Sequence, residues 1–324
     1  MSLMENLALK QELRFREDGT FKIVMISDMQ ETLEYDERSL RDMDKLVEQE
    51  MPDLVLLGGD FCNGLVLKTA EELSEYLDIF TSPMEKRGIP WAHVFGNHDH
   101  DIPVDAVEKT LLYERYAHCV SKHTVGIHGT TNFMLPIKAH AEDKIRFCVY
   151  GMDTGNRIEE TGLNYEEDFE AMRHPRTQGP WDFIHFDQLM WYWKGSEELE
   201  AHCGEKINAM MLMHIAPWEF QYVVDNPEQT GCKGSTVEQM NIGYLNSGLF
   251  AAVLQRGDVK CIACGHSHED CFEGTYAGVK MCLDACAGYS PYGIDELRGG
   301  RVFLLHENQP EKIETHMVHY SKMK

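Results

Sequence analysis

The chain has 324 residues, and none of its apolar runs approaches the roughly 18 residues that a membrane-spanning helix requires. Basic residues are scarce. Lys and Arg number 30 against 54 Asp and Glu, a formal charge of −24. That balance excludes a general binder of long nucleic acids, which needs a basic footprint to displace counterions, and it disfavours docking on an anionic membrane. No internal repeat or low-complexity linker divides the chain, so the expectation is a single domain over 1–324. Met1 to Lys10 has no basic stretch followed by an apolar one, so no secretory leader is expected. In that setting the ten cysteines read as reduced thiols of a cytoplasmic protein rather than a disulfide framework. A hydrophobic fraction of 43% excludes a disordered chain.

Short apolar, β-branched runs alternate with helical patterns. Strands are expected at Phe21–Ser27, Leu54–Gly58, Trp91–Phe95, Ile145–Tyr150, Ala209–His214, Val259–Cys264, Val279–Asp284, Val302–His306 and Ile313–His319. Helices are expected around Ser39–Glu50, Ala70–Arg87, Val104–His118, Asp187–His202 and Glu238–Arg256. Early strand–helix–strand alternation implies right-handed crossovers and mostly parallel pairing, while the closely spaced last strands imply antiparallel hairpins. Two stretches, about 153–186 and 217–235, read as irregular insertions.

The chemistry sits at the strand ends. Asp28 closes the first strand and Asp60 the second, in Gly58-Gly59-Asp60. Gly96-Asn97-His98-Asp99 closes the third, His214 a later one, and Gly265-His266-Ser267-His268 another. Ligands of open α/β sheets bind beyond the carboxyl ends of the strands. Taken singly, each motif has an ordinary explanation: an Asp after a strand is commonly a helix cap, and Gly-Asn is a turn former. Five segments supplying oxygen and nitrogen donors to one edge make a constellation. Cys261-Ile262-Ala263-Cys264 has knuckle-like spacing but lies in a strand, where residues three apart face opposite ways, so buried thiols are expected. His93, His100, His128 and His185 have no assignable role, although loops near the third strand put His100 and His128 within reach of a substrate.

These five blocks, in this order, resemble the calcineurin-like metallophosphoesterases. Val149–Gly155, Trp181…Gln188…Trp191 and Gly288–Gly293 look like the branch related to purple acid phosphatases. The resemblance implies a four-layer α/β/β/α sandwich of two mixed sheets, with two metal ions (Mn, Fe or Zn) at the sheet edge. Asp60 would bridge the ions. Asp28 and His268 would hold the first, with Gln30 at its remaining ligand position, and Asn97, His214 and His266 would hold the second. His98 would stabilise or protonate the leaving oxygen, with Asp99 holding its imidazole. A water activated between the ions would attack phosphorus in line with the leaving group.

Gln30 departs from the family pattern, which has His there, and the compensating Tyr of purple acid phosphatases is replaced by Asn63. Glu31 and Cys62 are alternative donors for the first ion. Asn63 and Asp153 are expected on the substrate side. The function implied is a metal-dependent phosphoesterase, a phosphomonoesterase acting on a small or protein-bound phosphate ester. A phosphodiesterase for a nucleotide-like substrate and a catalytically impaired binding or regulatory module are the alternatives.

Overall fold

The computed structural model describes residues 10–158 and 179–323. Much of the stretch expected to be irregular, 159–178, lies outside the described residues. Two mixed sheets form the centre. The smaller runs Ile313–His319, Gly299–His306, Thr20–Ile26, Leu54–Leu57, Trp91–His93. Its last three strands are parallel, and the first two close it as an antiparallel pair. Among the described residues the larger has eight strands. Ile145–Met152, Asn208–Met213, Val259–Cys264 and Val279–Leu283 are parallel at its centre, with antiparallel Phe133–Lys138 and Cys271–Tyr276 on either side.

Side-chain alternation explains the layering. Ile23, Met25, Leu54 and Leu56 of the smaller sheet meet Phe147, Val149, Met210 and Leu212 of the larger in one buried cluster between the sheets. Their neighbours Val24, Ile26, Val55 and Leu57 face outward onto the helices Glu37–Glu50 and Ala70–Phe80. Cys148, Tyr150, Met211 and Met213 face the helices Phe186–Cys203 and Leu249–Arg256. A strand buried on both faces must be apolar at every position, which is why these strands read as continuous hydrophobic runs. The four-layer α/β/β/α sandwich is therefore the observed fold. The same alternation sends Cys261 between the sheets and Cys264 to the helix layer, and all ten cysteines are free.

Some elements differ from expectation. Residues 217–235 are not irregular: Glu219–Asp225 and Pro227–Thr230 are helical and Lys233–Ser235 is an edge strand. Phe220 and Val223, three residues apart, anchor the first of these helices in the outer core. The helix expected over Glu238–Arg256 forms only at Leu249–Arg256, because Gly248 sits at φ +80°, a left-handed conformation outside the α-helical range. The helix from Ala70 stops at Phe80, and a second short one, Ser82–Glu85, starts with Pro83 in its first turn. The strand Phe133–Lys138 escaped detection because Pro136 interrupts it. Its other neighbour is only the two-residue strand Leu13–Arg14, which pairs beyond the proline.

Candidate metal centre

Three parallel strands of the smaller sheet and two of the larger end at one edge. The loop after Thr20–Ile26 carries Asp28 and Gln30, and the loop after Leu54–Leu57 carries Asp60. Asn97 and His98 follow Trp91–His93, His214 follows Asn208–Met213, and His266 and His268 follow Val259–Cys264. The turns are tight. Asp28, Gln30, Asp60 and His266 all hold positive φ (55°, 41°, 48° and 73°). Such backbone costs about 1–3 kcal/mol per residue and persists where the surroundings over-determine it. Two glycines permit the close approach: a Cβ on Gly96 would lie 2.2 Å from Asp60 Oδ1, and one on Gly59 would lie 2.5 Å from His214 Nδ1.

The donors converge. His214 Nε2 lies 3.2 Å from Asp60 Oδ2 and 3.9 Å from Asp28 Oδ1, and His268 Nε2 lies 3.3 Å from Asp28 Oδ1. Ligand atoms of Asp60, His214 and His266 form one compact set, and those of Asp28, Asp60 and His268 a second. Asp60 is common to both, as the bridging assignment requires. The imidazoles are aimed from behind. His214 Nδ1 donates to the Gly58 carbonyl at 2.9 Å and His268 Nδ1 to the Tyr292 carbonyl at 3.0 Å, which leaves each Nε2 facing the centre.

Whether ions fit can be read from what is left unpaired. Asp28 Oδ1, Asn97 Oδ1, His214 Nε2 and His266 Nε2 are buried polar atoms without a hydrogen-bond partner. Orphaned buried donors and acceptors are costly, so four of them on the loops of one sheet edge mark a missing partner. Imidazole, carboxylate and amide donors suit Mn, Fe or Zn. Electrostatics are consistent with this. Burial disfavours the His214 imidazolium, but the Asp60 and Asp28 carboxylates outweigh it and push its pKa up to about 9. Burial, reinforced by His214, pushes His266 down to about 3. Burial opposes ionisation of Asp60, yet the surrounding histidines hold its carboxyl far below the ordinary range. A cation placed among these groups would substitute for the proton on His214 and offset the like charges of Asp28 and Asp60.

Gln30 stands inside the first set. Its amide nitrogen donates to Asp60 Oδ2 at 2.8 Å and lies 3.2 Å from His268 Nε2. A half-turn of the amide exchanges nitrogen for oxygen and would present a neutral carbonyl donor at the same place. Neither alternative donor reaches the centre. The Glu31 carboxylate is buried and accepts from Tyr289 N (3.1 Å) and Ser290 N (3.0 Å), tethering that loop, while Cys62 Sγ donates to Asp99 Oδ1.

Two sequence expectations, for Asp99 and Asp153, need correction. Asp99 does not hold the His98 ring. Its carboxylate accepts from the backbone N–H groups of Gly96, Phe61 and Cys62, stitching two loops together. The partner of His98 Nδ1 is Asp101, at 2.9 Å, whose other oxygen accepts from Asn156 Nδ2 at 2.9 Å. Asp101 lies three residues from His98 on a helical turn, and i, i+3 neighbours share a face, so that spacing was the available signal. Asn63 caps a turn through Leu65 N. Asp153 is fully buried rather than facing a substrate. It accepts from His100 Nε2 (2.9 Å), Thr130 N and Gly155 N, and although burial opposes ionisation these partners keep its carboxyl well below the usual range. His128 and His185 stack at 3.6 Å and share Asp182, clamping two loops.

The calcineurin-like phosphoesterase family model matches residues 21–270. The chain belongs to that family. It is 25% identical over 317 residues to a protein named probable inactive purple acid phosphatase 14 of Arabidopsis thaliana, spanning 88% of this chain and 74% of that one. It is 29% identical over 308 residues to probable inactive purple acid phosphatase 28 of the same plant, spanning 87% and 74%. Among solved structures, a dimetal phosphatase from Danio rerio superposes with a TM-score of 0.57 at 12% identity, covering 93% of this chain and 99% of that one. An anchor protein of the inner membrane complex of Plasmodium gives 0.52 at 10% identity, with coverages of 94% and 86%. At these identities the structural matches establish the fold of this calcineurin-like phosphoesterase and nothing finer. Among its described residues no helix is long and apolar enough to cross a membrane.

Proposed function

We propose that this calcineurin-like phosphoesterase hydrolyses phosphate monoesters, small or carried on a protein, with two metal ions held by Asp28, Asp60, Asn97, His214, His266 and His268. The observation that carries this reading is the Asp60 carboxylate shared by two compact donor sets, with four buried, unpaired donor atoms on the same sheet edge. Two ions there would supply Lewis acidity and an activated water. The remaining work belongs to the chain. Asp60 ties the two sets together while the N–H of His98 donates to its Oδ1 at 2.7 Å, fixing it against the third strand's loop. His98, half-buried, is braced by Asp101, which favours its protonated form and suits it to give a proton to the leaving oxygen. The ions also answer the charge of −24, since they place positive charge where an anionic ester must bind. Ten unpaired thiols agree with a reducing, cytoplasmic location.

A second reading, an impaired or single-ion binding module, is favoured by Gln30 at the first site and by the word inactive in the names of the plant relatives. Metal analysis of the purified chain, combined with hydrolysis of p-nitrophenyl phosphate and its bis ester, separates the possibilities. Two bound ions and monoester turnover lost by at least about 10²-fold in Asp60→Asn support the enzyme. Faster cleavage of the bis ester points to a phosphodiesterase. Wild-type turnover in both Asp60→Asn and His98→Ala would overturn the assignment.

A further inference from the structure

In a chain with 54 acids and 30 bases, a cation that has no carboxylate partner is informative. Among the described residues Arg157 is such a cation. It is exposed, and its guanidinium pairs with no carboxylate among the described residues. It lies instead over the indole of Trp181, 5.0 Å from the ring centroid, and the two residues pair as an isolated antiparallel bridge. Trp181 in turn meets His266 edge-on, with centroids 4.5 Å apart and planes at 85°. A continuous stack therefore runs from an exposed guanidinium to one of the residues of the metal centre.

The segment carrying Arg157 is held in place. Asp153, four residues earlier, is fully buried and bonded to His100 and to the backbone of Thr130 and Thr131. Thr154 Oγ1 accepts from Ile215 N at 3.1 Å, beside His214, and Asn156 donates to the Asp101 that braces His98. Arg157 thus has a fixed position relative to both halves of the centre. A guanidinium on an aromatic face keeps its fork of N–H donors free, and that fork matches carboxylate and phosphate oxygens.

We infer that Arg157, seated on Trp181, is a specificity residue that receives a second anionic group carried by the phosphate ester. The substrate class is an organic phosphate whose leaving group bears a carboxylate or a further phosphate. This inference rests on the phosphoesterase reading. The test measures binding rather than turnover, so that the two can fail separately.

Manganese-loaded wild type, Arg157→Gln, Arg157→Lys and Trp181→Leu are titrated calorimetrically with propylphosphonate, 3-phosphonopropionate and 1,3-propylenediphosphonate. The wild type is expected to bind the two doubly anionic probes about tenfold more tightly than propylphosphonate, the scale of one charge-assisted bidentate contact. Arg157→Gln should reduce that advantage to about twofold or less, Arg157→Lys should restore part of it, and Trp181→Leu should fall between. An advantage confined to one probe tells carboxylate from phosphate. An equal advantage in Arg157→Gln, or none in the wild type, overturns the inference. Phenyl phosphate turnover is followed in parallel. A chain that shows the Arg157 signature but leaves phenyl phosphate intact overturns the hydrolase reading alone.

Discussion

Replacing Asp101 by Asn keeps the shape of the side chain and removes its charge. The His98 Nδ1 to Asp101 Oδ2 contact is 2.9 Å, and the two side chains are 26% and 21% exposed. A charge-assisted bond of this kind contributes about 1.5–3 kcal/mol when buried, and partial solvent screening brings it to about 1–2 kcal/mol. If that contact orients and charges the proton donor only as the leaving oxygen departs, kcat falls by about 5–30-fold. His98→Ala, which removes the donor itself, should cost about 10²–10⁴-fold. Metal content and KM should move less than about twofold in Asp101→Asn, because Asp101 touches none of the six metal-holding residues through its side chain. Asp99 gives the contrast. Asp99→Ala strands the N–H groups of Gly96, Phe61 and Cys62, at about 1–3 kcal/mol for each unpaired buried group. Its signature is a melting temperature lowered by several degrees. Steady-state kinetics on p-nitrophenyl phosphate, calorimetric melting and metal analysis on the same preparations decide the matter. If Asp101→Asn turns over at the wild-type rate while Asp99→Ala loses turnover with unchanged melting, the pairing derived for His98 is wrong.

Gln30→His exchanges a neutral amide for an imidazole in the first donor set and should raise metal occupancy there, with turnover increasing by about tenfold or more; unchanged metal content in dialysed protein would count against the placement of Gln30. His93 is buried, with Nδ1 2.9 Å from Ser121 Oγ, and burial pushes its pKa from 6.5 down to about 3. It is neutral in the folded chain, whereas the unfolded chain takes up a proton below about 6.5. Its contribution to stability is therefore complete above that pH and is lost as pH falls toward 3, at about 1.4 kcal/mol per pH unit. Urea unfolding of His93→Asn between pH 6.5 and 4 should show a correspondingly shallower decline than the wild type, and parallel slopes would refute the assignment.

Sequence by itself determined the strands that carry the donors and the positions of those donors. Continuous apolar runs such as Leu54–Leu57 and Cys261–Cys264 can only be buried on both faces, and an acid or histidine soon after each run must land at the carboxyl edge of a sheet. The positions of Asp28, Asp60, His214, His266 and His268 were legible for that reason. Tertiary structure alone decided what lies behind and beside them. The carbonyls of Gly58 and Tyr292 that aim two imidazoles carry no side-chain signature. Asp99 and Asp101 are chemically alike and two residues apart, and only the path of the chain turns one toward backbone N–H groups and the other toward His98. Arg157 meets Trp181 across 24 residues of sequence, and Asp153 is drawn inside by donors from a different strand connection. Local patterning fixes which residues sit at a strand end, because a side chain's face follows from its parity along the strand. Which partner each one finds depends on loops whose conformations are set by long-range packing, and that information is written nowhere in the neighbouring residues.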